Sequence, residues 1–144
     1  MTIPEVGKKV TVSVPSTTAN LGPGFDCLGA ALDLHNEFIF TRIEGGGDRF
    51  DLIMESTDGN HLRGGPENLV FRAAQKVWAN ANVSPFALEA RVKLAVPPAR
   101  GLGSSATAIV AGLIGANAIM DSPLSKEKLL ELAIDIEGHP DNVV

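Results

Sequence analysis

The stretch that decides the fold lies between a strand pattern and a helix pattern, and it reads Pro97-Pro98-Ala99-Arg100-Gly101-Leu102-Gly103-Ser104-Ser105-Ala106-Thr107. Before it, apolar residues alternate from Leu88 to Val96, which is the period of a strand with one buried face. After it, residues 104–120 are nearly all small or apolar, which predicts a helix buried on most sides. Glycines directly before a helix let backbone N–H groups approach an anion, and the helix N-terminus adds a positive dipole. Ser104 and Ser105 can cap that helix, donate to a phosphate or ligate Mg²⁺.

Several kinds of site fit a glycine-rich turn before a helix. A P-loop is excluded because the Gly-Lys-Ser or Gly-Lys-Thr that it requires is absent. Residues 101–106 match the dinucleotide pattern G-x-G-x-x-G/A, with Asp121 downstream. That fold needs a second parallel strand carrying the acid, whereas Ser122-Pro123 and another helix pattern follow Asp121, so a Rossmann site is disfavoured. On this motif alone, a plain capped helix and an oxidoreductase-type nucleotide site both stay open.

Composition limits the class of protein. The 144 residues are 44% hydrophobic and carry a net charge of −5, which suits one domain with a core. Twelve Lys and Arg against seventeen Asp and Glu exclude a generally basic surface, so we expect no nucleic-acid partner. A single cysteine, Cys27, excludes an intramolecular disulfide and fits a reducing cytoplasm. No apolar run reaches the roughly 18 residues of a membrane span, and no signal-peptide layout is present. We therefore expect a cytoplasmic protein without a membrane partner.

The remaining strand signals precede the deciding stretch. Valines alternate with polar residues over 10–14, and Pro15 is expected to close that strand. Residues 38–43 and 50–55 are predicted to form a hairpin across the glycine-rich residues 44–49.

Two further helices are predicted on either side of the deciding stretch. The first follows Asn68, a candidate cap, and its apolar stripe is Leu69, Val70, Ala73, Ala74, Val77 and Trp78. The last runs from about Ser125 to Glu137, with Ser122 or Ser125 as its cap. Its charged side, Glu127, Glu131 and Asp135, is expected to face solvent. The mixed order of strands and helices predicts the α+β class.

Two more clusters of polar residues stand out. Residues 15–29 form a loop in which Leu21, Phe25 and Leu28 alternate with glycines, so the loop is expected to pack and to hold Asn20 and Asp26 in fixed places. The end of the chain reads Glu137-Gly138-His139-Pro140-Asp141-Asn142.

Together the three clusters resemble those of the homoserine kinases, a branch of the GHMP family of small-molecule kinases. The Gly-Leu-Gly-Ser-Ser-Ala turn is shared across that family. The Asn-Leu-Gly-Pro-Gly-Phe-Asp run and the Gly-His-Pro-Asp-Asn end look specific to the homoserine branch. Galactokinase and mevalonate kinase carry an early Gly-Glu-His, which this chain lacks. The resemblance covers the whole chain, although homoserine kinases are about twice as long.

The resemblance implies both a fold and an activity. Residues 1–144 are expected to form the ribosomal-protein-S5-domain-2-like α/β N-terminal domain that binds ATP, truncated and without the C-terminal domain, and to have little activity alone. The implied reaction transfers a phosphoryl group from MgATP to the side-chain hydroxyl of L-homoserine, giving O-phospho-L-homoserine for threonine biosynthesis. The family is often dimeric, so a homodimer is expected. Another GHMP-type small-molecule kinase and a non-catalytic nucleotide-binding module remain alternatives.

The resemblance also implies roles for individual residues. Asn68 would contact adenine, although helix capping explains it equally well. His139 and Asn142 would lie in the catalytic centre, and Ser105 and Glu137 would hold Mg²⁺. The phosphates of ATP would lie against Pro97, Pro98, Ala99, Arg100, Gly101, Leu102, Gly103, Ser104, Ser105, Ala106 and Thr107. The amino acid would contact Asn20, Asp26, His139 and Asn142.

Helix periodicity gives an independent reason to single out Glu137. At about 100° per residue it falls at the edge of the apolar face, beside Leu130 and Ala133. A carboxylate that faces inward needs a partner, and a metal ion is one, although another partner is not excluded. No residue is a better general base than Asp26, His139 or Asn142, and each of these has a binding role. We therefore expect direct in-line transfer without a dedicated strong base.

Overall fold

A computed structural model describes residues 3–19, 29–47, 49–55, 61–64, 69–93 and 104–137. Its elements are five strands, which form one mostly antiparallel sheet, and three helices, which confirms the predicted mixture of strands and helices. In chain order they are β1 Lys9–Ala19, β2 Gly29–Arg42, β3 Phe50–Glu55, β4 His61–Gly64, α1 Leu69–Ala81, β5 Leu88–Lys93, α2 Ser104–Ile119 and α3 Lys126–Glu137.

The five strands form one sheet in the order β1-β2-β5-β3-β4. The last strand in sequence, β5, lies in its middle, antiparallel to β2 and parallel to β3. The predicted hairpin of β2 with β3 is therefore wrong in its pairing, although both strands exist. Alternating apolar residues identify a strand and its buried face, but they do not identify the neighbouring strand. Placing β5 between β2 and β3 gives it a hydrogen-bonded neighbour on each side.

The first strand continues beyond Pro15, where the sequence pattern predicts its end. Val14 lies opposite Asn36 and Pro15 opposite His35, and the register shifts between Pro15 and Thr17. Because β1 is an edge strand, its open side needs no ladder hydrogen bond. A proline is tolerated in that position and commonly accompanies such a shift in register. Consequently β1 and β2 are longer than predicted and extend past the end of β5.

The core lies between the sheet and the helices. Cross-strand neighbours such as Phe38 and Val92 are buried together, and Phe50 contacts Phe71 of α1 with 4.9 Å between the ring centroids. The predicted stripe of α1 is confirmed, because its residues from Val70 onward are buried, and Phe71 joins it. No helix among the described residues combines the length and the apolar character needed to cross a membrane.

Helix α2 lies unusually close to β2 because of a glycine. A Cβ atom built on Gly115 would lie 2.3 Å from the Cδ2 and Cε2 atoms of Phe40. On the side facing α1, a Cβ atom on Gly112 would lie 2.6 Å from the carbonyl oxygen of Val70. The small side of α2 therefore allows close packing against both the sheet and α1, which the glycine and alanine content predicts.

The turn between α2 and α3 is held by one buried amide. Asn117 Nδ2 donates to the carbonyl oxygen of Leu124 at 3.0 Å, and Leu124 N donates to Asn117 Oδ1 at 2.9 Å. Helix α3 then begins with Ser125 as its cap, since Lys128 N donates to Ser125 Oγ at 3.2 Å. Of the two predicted caps, Ser125 is thus the one used. The charged side at Glu127, Glu131 and Asp135 is exposed, as predicted.

Candidate nucleotide site

Two of the three polar clusters are attached to the same edge of the sheet. Strands β1 and β5 are both antiparallel to β2, so their carboxyl ends, Ala19 and Lys93, point toward one edge. Residues 20–28 follow β1 and residues 94–103 follow β5, and both stretches lie outside the described residues. The first begins at the tip of the β1–β2 extension and the second at its base. The topology therefore places the starting points of both segments on one side of the molecule.

The helix that follows the second segment starts beside the end of β5. Asn36 Nδ2 donates to Thr107 Oγ1 at 3.0 Å, and the two residues are 1% and 2% exposed. Asn36 precedes Glu37, which pairs with Lys93, the last residue of β5. This hydrogen bond therefore fixes the first turn of α2 at the point where β5 leaves the sheet.

The N-terminus of α2 has the electrostatic character of an anion site. The helix is 16 residues long, and its first turn contains no acidic residue. The backbone N–H groups of a first helical turn have no partner within the helix, and the aligned peptide dipoles add a partial positive charge. Since no carboxylate in that turn offsets this charge, an anionic phosphate group would be favoured there.

The far end of α3 returns toward the start of α2. The chain reverses at residues 120–125, and a groove of about 570 Å³ between the helices is lined on opposite sides by Val110 and Ala133. Ser105 in α2 and Glu137, the last residue of α3, each lie about one turn farther from the connection. The backbone thus directs both predicted metal ligands to the same end of the helix pair. Among the described side chains, no group of three His, Cys, Asp or Glu could hold a metal ion.

The predicted site residues fall into two sets. The structure places the backbone of Ser104, Ser105 and Ala106 in the first turn of α2 together with Thr107, and it places Glu137 at the end of α3. The others lie outside the described residues, and their roles remain predictions: Asn20, Asp26, Asn68, Pro97, Pro98, Ala99, Arg100, Gly101, Leu102, Gly103, His139 and Asn142.

Asn36 was not predicted from the sequence. Residues 36, 38 and 40 lie on one face of β2, and Phe38 and Phe40 are buried in the core. The strand was expected to begin at Phe38, so Asn36 fell outside the pattern. Extending the alternation by one step shows a polar residue on an apolar face, and that is the signal that could have found it.

Comparison with known proteins gives the family. The family described as GHMP kinases N terminal domain matches residues 68–144. A homoserine kinase from Prochlorococcus marinus (strain MIT 9215) is 94% identical over all 144 residues, which cover 46% of that relative. The crystal structure of a homoserine kinase from Cytophaga hutchinsonii superposes with a TM-score of 0.80 at 25% identity, covering 99% of this chain and 47% of the other.

A more distant structure shares the fold alone. The Methanococcus jannaschii mevalonate kinase superposes with a TM-score of 0.67 at 16% identity, over 92% of this chain and 48% of that chain. The chain spans slightly less than half the length of the curated relatives that it matches. Because the family match extends over more than half of its residues, this chain belongs to the GHMP kinase family.

Proposed function

We infer that this chain is the ATP-binding N-terminal domain of a homoserine kinase, which transfers the γ-phosphoryl group of ATP to the side-chain hydroxyl of L-homoserine. The observation that carries this proposal is the 94% identity, over every residue, to a homoserine kinase. The position of the α2 N-terminus at the sheet edge supports it, because that end of the helix suits a phosphate group.

The nucleotide side of the site rests on α2. Residues 97–107 bind the phosphates of ATP through backbone N–H groups and the hydroxyl groups of Ser104 and Ser105. Asn68, which directly precedes α1, contacts the adenine ring. Glu137 and Ser105 supply a carboxylate and a hydroxyl oxygen, which suit Mg²⁺ because it is usually held by one or two carboxylates together with phosphate oxygens. When bound, Mg²⁺ neutralises part of the charge on the transferring phosphoryl group.

The substrate side of the site uses residues 20–28 and 138–142. The Asp26 carboxylate pairs with the ammonium group of homoserine, and Asn20 also contacts the amino acid. His139 and Asn142 bind near the reacting hydroxyl and orient it toward the phosphoryl group. Since phosphoryl transfer depends mainly on alignment and charge stabilisation, the reaction proceeds in line without a strong general base.

The experiment that tests this proposal uses a full-length enzyme. These 144 residues replace the aligned part of the Prochlorococcus marinus MIT 9215 homoserine kinase, and we call the product the chimera. ADP release from MgATP is measured with homoserine, serine, shikimate and mevalonate offered separately. We expect turnover that depends on homoserine and little with the other three. Turnover only with mevalonate or shikimate would favour another GHMP-type kinase, and ATP binding without any turnover would favour a non-catalytic module.

Three further expectations belong to the same proposal. The isolated 144 residues should release little ADP, because the chain spans under half of the curated relatives. A cytoplasmic location fits the single cysteine, Cys27. A homodimer remains a prediction, and light scattering of the chimera would test it.

A further inference from the structure

Two neighbouring residues of β2 contact the two elements that flank residues 94–103, which are the end of β5 and the first turn of α2. Glu37 pairs with Lys93, the last residue of β5 before that segment. Asn36 donates a hydrogen bond to Thr107 Oγ1, in the first turn of α2 after the segment. The end of β5 and the start of α2 are therefore fixed to consecutive positions of a single strand.

The bond between Asn36 and Thr107 is well protected from solvent. Asn36 is 1% exposed and Thr107 2% exposed, and Asn36 lies on the same face of β2 as the buried Phe38. A buried amide that loses a hydrogen-bond partner is not readily compensated by water, so this contact is costly to break. An apolar residue at position 36 would also bury surface, but it would not require one particular orientation of α2. The hydrogen bond adds direction, because rotating α2 by one residue, about 100°, would carry the Thr107 hydroxyl away from β2.

We propose that Asn36 is a positioning residue for the nucleotide site, acting through Thr107 rather than by contact with ATP. It holds the first turn of α2 in one rotation and at one distance from the end of β5, so the backbone N–H groups of that turn keep a fixed direction. Preorganised donors of this kind strengthen binding because they need not be ordered when the ligand arrives. The inference rests on the proposed function for the identity of the ligand, MgATP.

A purely structural role for this hydrogen bond makes a different prediction. If the bond only stabilised the fold, its loss would lower the unfolding temperature and leave the folded protein with unchanged affinity for MgATP. A comparable buried amide, Asn117, lies near the other end of the same helix and bonds the backbone of Leu124. Asn117→Ala therefore serves as a matched control that perturbs α2 far from its N-terminus.

The test is isothermal titration of MgATP into the chimera and its variants, each at a temperature where its unfolding curve shows folded protein. Thr107→Val keeps the side-chain shape and removes the hydroxyl, and we expect the Kd for MgATP to rise about tenfold. Thr107→Ser keeps the hydroxyl and should recover most of the affinity that Thr107→Val loses, whereas the control Asn117→Ala should stay within about twofold of the parent. If Thr107→Val does not fold, Thr107→Ala removes the same hydroxyl and gives the same comparison.

A double-mutant cycle separates the pair from its surroundings. We expect Asn36→Leu alone, Thr107→Val alone and the two combined to raise the Kd for MgATP by factors within about twofold of one another, because each change removes the same hydrogen bond. Unchanged affinity in Thr107→Val, or an equal loss in Asn117→Ala, would overturn the inference. A parent chimera that binds MgATP but does not turn over homoserine would overturn the proposed function alone, since the inference is read from binding. Absence of MgATP binding by the parent would overturn both.

Discussion

Replacing Gly115 with alanine should destabilise the protein, although the same change in most helices is stabilising. An exposed Gly→Ala change within a helix gains about 1 kcal/mol of helix propensity. Here the new Cβ atom would lie 2.3 Å from two ring carbons of Phe40, far inside the usual contact distance. Phe40 is completely buried and lies against Phe38 with 6.4 Å between the ring centroids, so its ring cannot move aside cheaply.

The net effect follows from the difference between two terms. Overpacking a well-filled core costs about 1–3 kcal/mol, and a contact this short against a buried ring belongs at the upper end. After the gain in helix propensity, we expect Gly115→Ala to lower the free energy of unfolding by about 2 kcal/mol. With a urea m-value of about 2 kcal/mol/M, the midpoint of unfolding should fall by about 1 M.

The assay is urea unfolding of the 144-residue chain followed by tryptophan fluorescence. Trp78 is the single tryptophan and is 1% exposed in the core, so its emission reports unfolding of that core. Adding Phe40→Leu to Gly115→Ala should recover part of the loss, because the smaller side chain makes room for the new methyl group. A midpoint for Gly115→Ala equal to or above that of the parent would refute the reasoning, since helix propensity would then outweigh the contact.

Three further predictions concern single contacts. Asn117→Ala should lower the free energy of unfolding by about 2 kcal/mol, since it removes both hydrogen bonds that hold Leu124. Urea unfolding measures this loss, and a value under about 0.5 kcal/mol would contradict the prediction. Lys8→Met should change the free energy of unfolding by less than about 0.5 kcal/mol, because the side chain of its partner, Asp121, is 89% exposed. A loss above about 1 kcal/mol in the same assay would contradict the expectation that this surface ion pair contributes little. Asp26→Asn in the chimera should raise KM for homoserine at least tenfold while the Kd for MgATP stays within twofold, and lost ATP affinity in a titration would show that the assigned role is wrong.

The sequence predicted the elements of this fold better than their arrangement. Helix α2 begins at Ser104, as predicted, because small and apolar residues continue without interruption from that point. The pairing of β2 was missed, because its partner β5 begins at Leu88, well beyond the range in which a local turn signal operates. Pro15 gave a false strand end, since the edge position that tolerates it depends on the order of strands in the sheet.

The candidate site was predicted only where its residues follow a local rule. Ser104 and Ser105 stand directly after glycines and at a helix start, and the structure places both in the first turn of α2. Asn36 was missed because its partner, Thr107, lies 71 residues away in the sequence. No spacing rule connects two such positions, and only the folded sheet brings them together.

The central position of β5 also bears on how the chain folds during synthesis. Strands β2 and β3 are made first, yet each must wait for Leu88–Lys93 before the ladder that lies between them can form. Until then, an edge carrying Phe38 and Phe40 has no neighbour within the chain, and such an edge is prone to pair with another molecule. The residues of β2 that pair with β5 lie about 50 positions earlier in the sequence, and contacts between such distant residues favour slow folding. Completion of the sheet therefore waits for β5, the last of the five described strands to be synthesised.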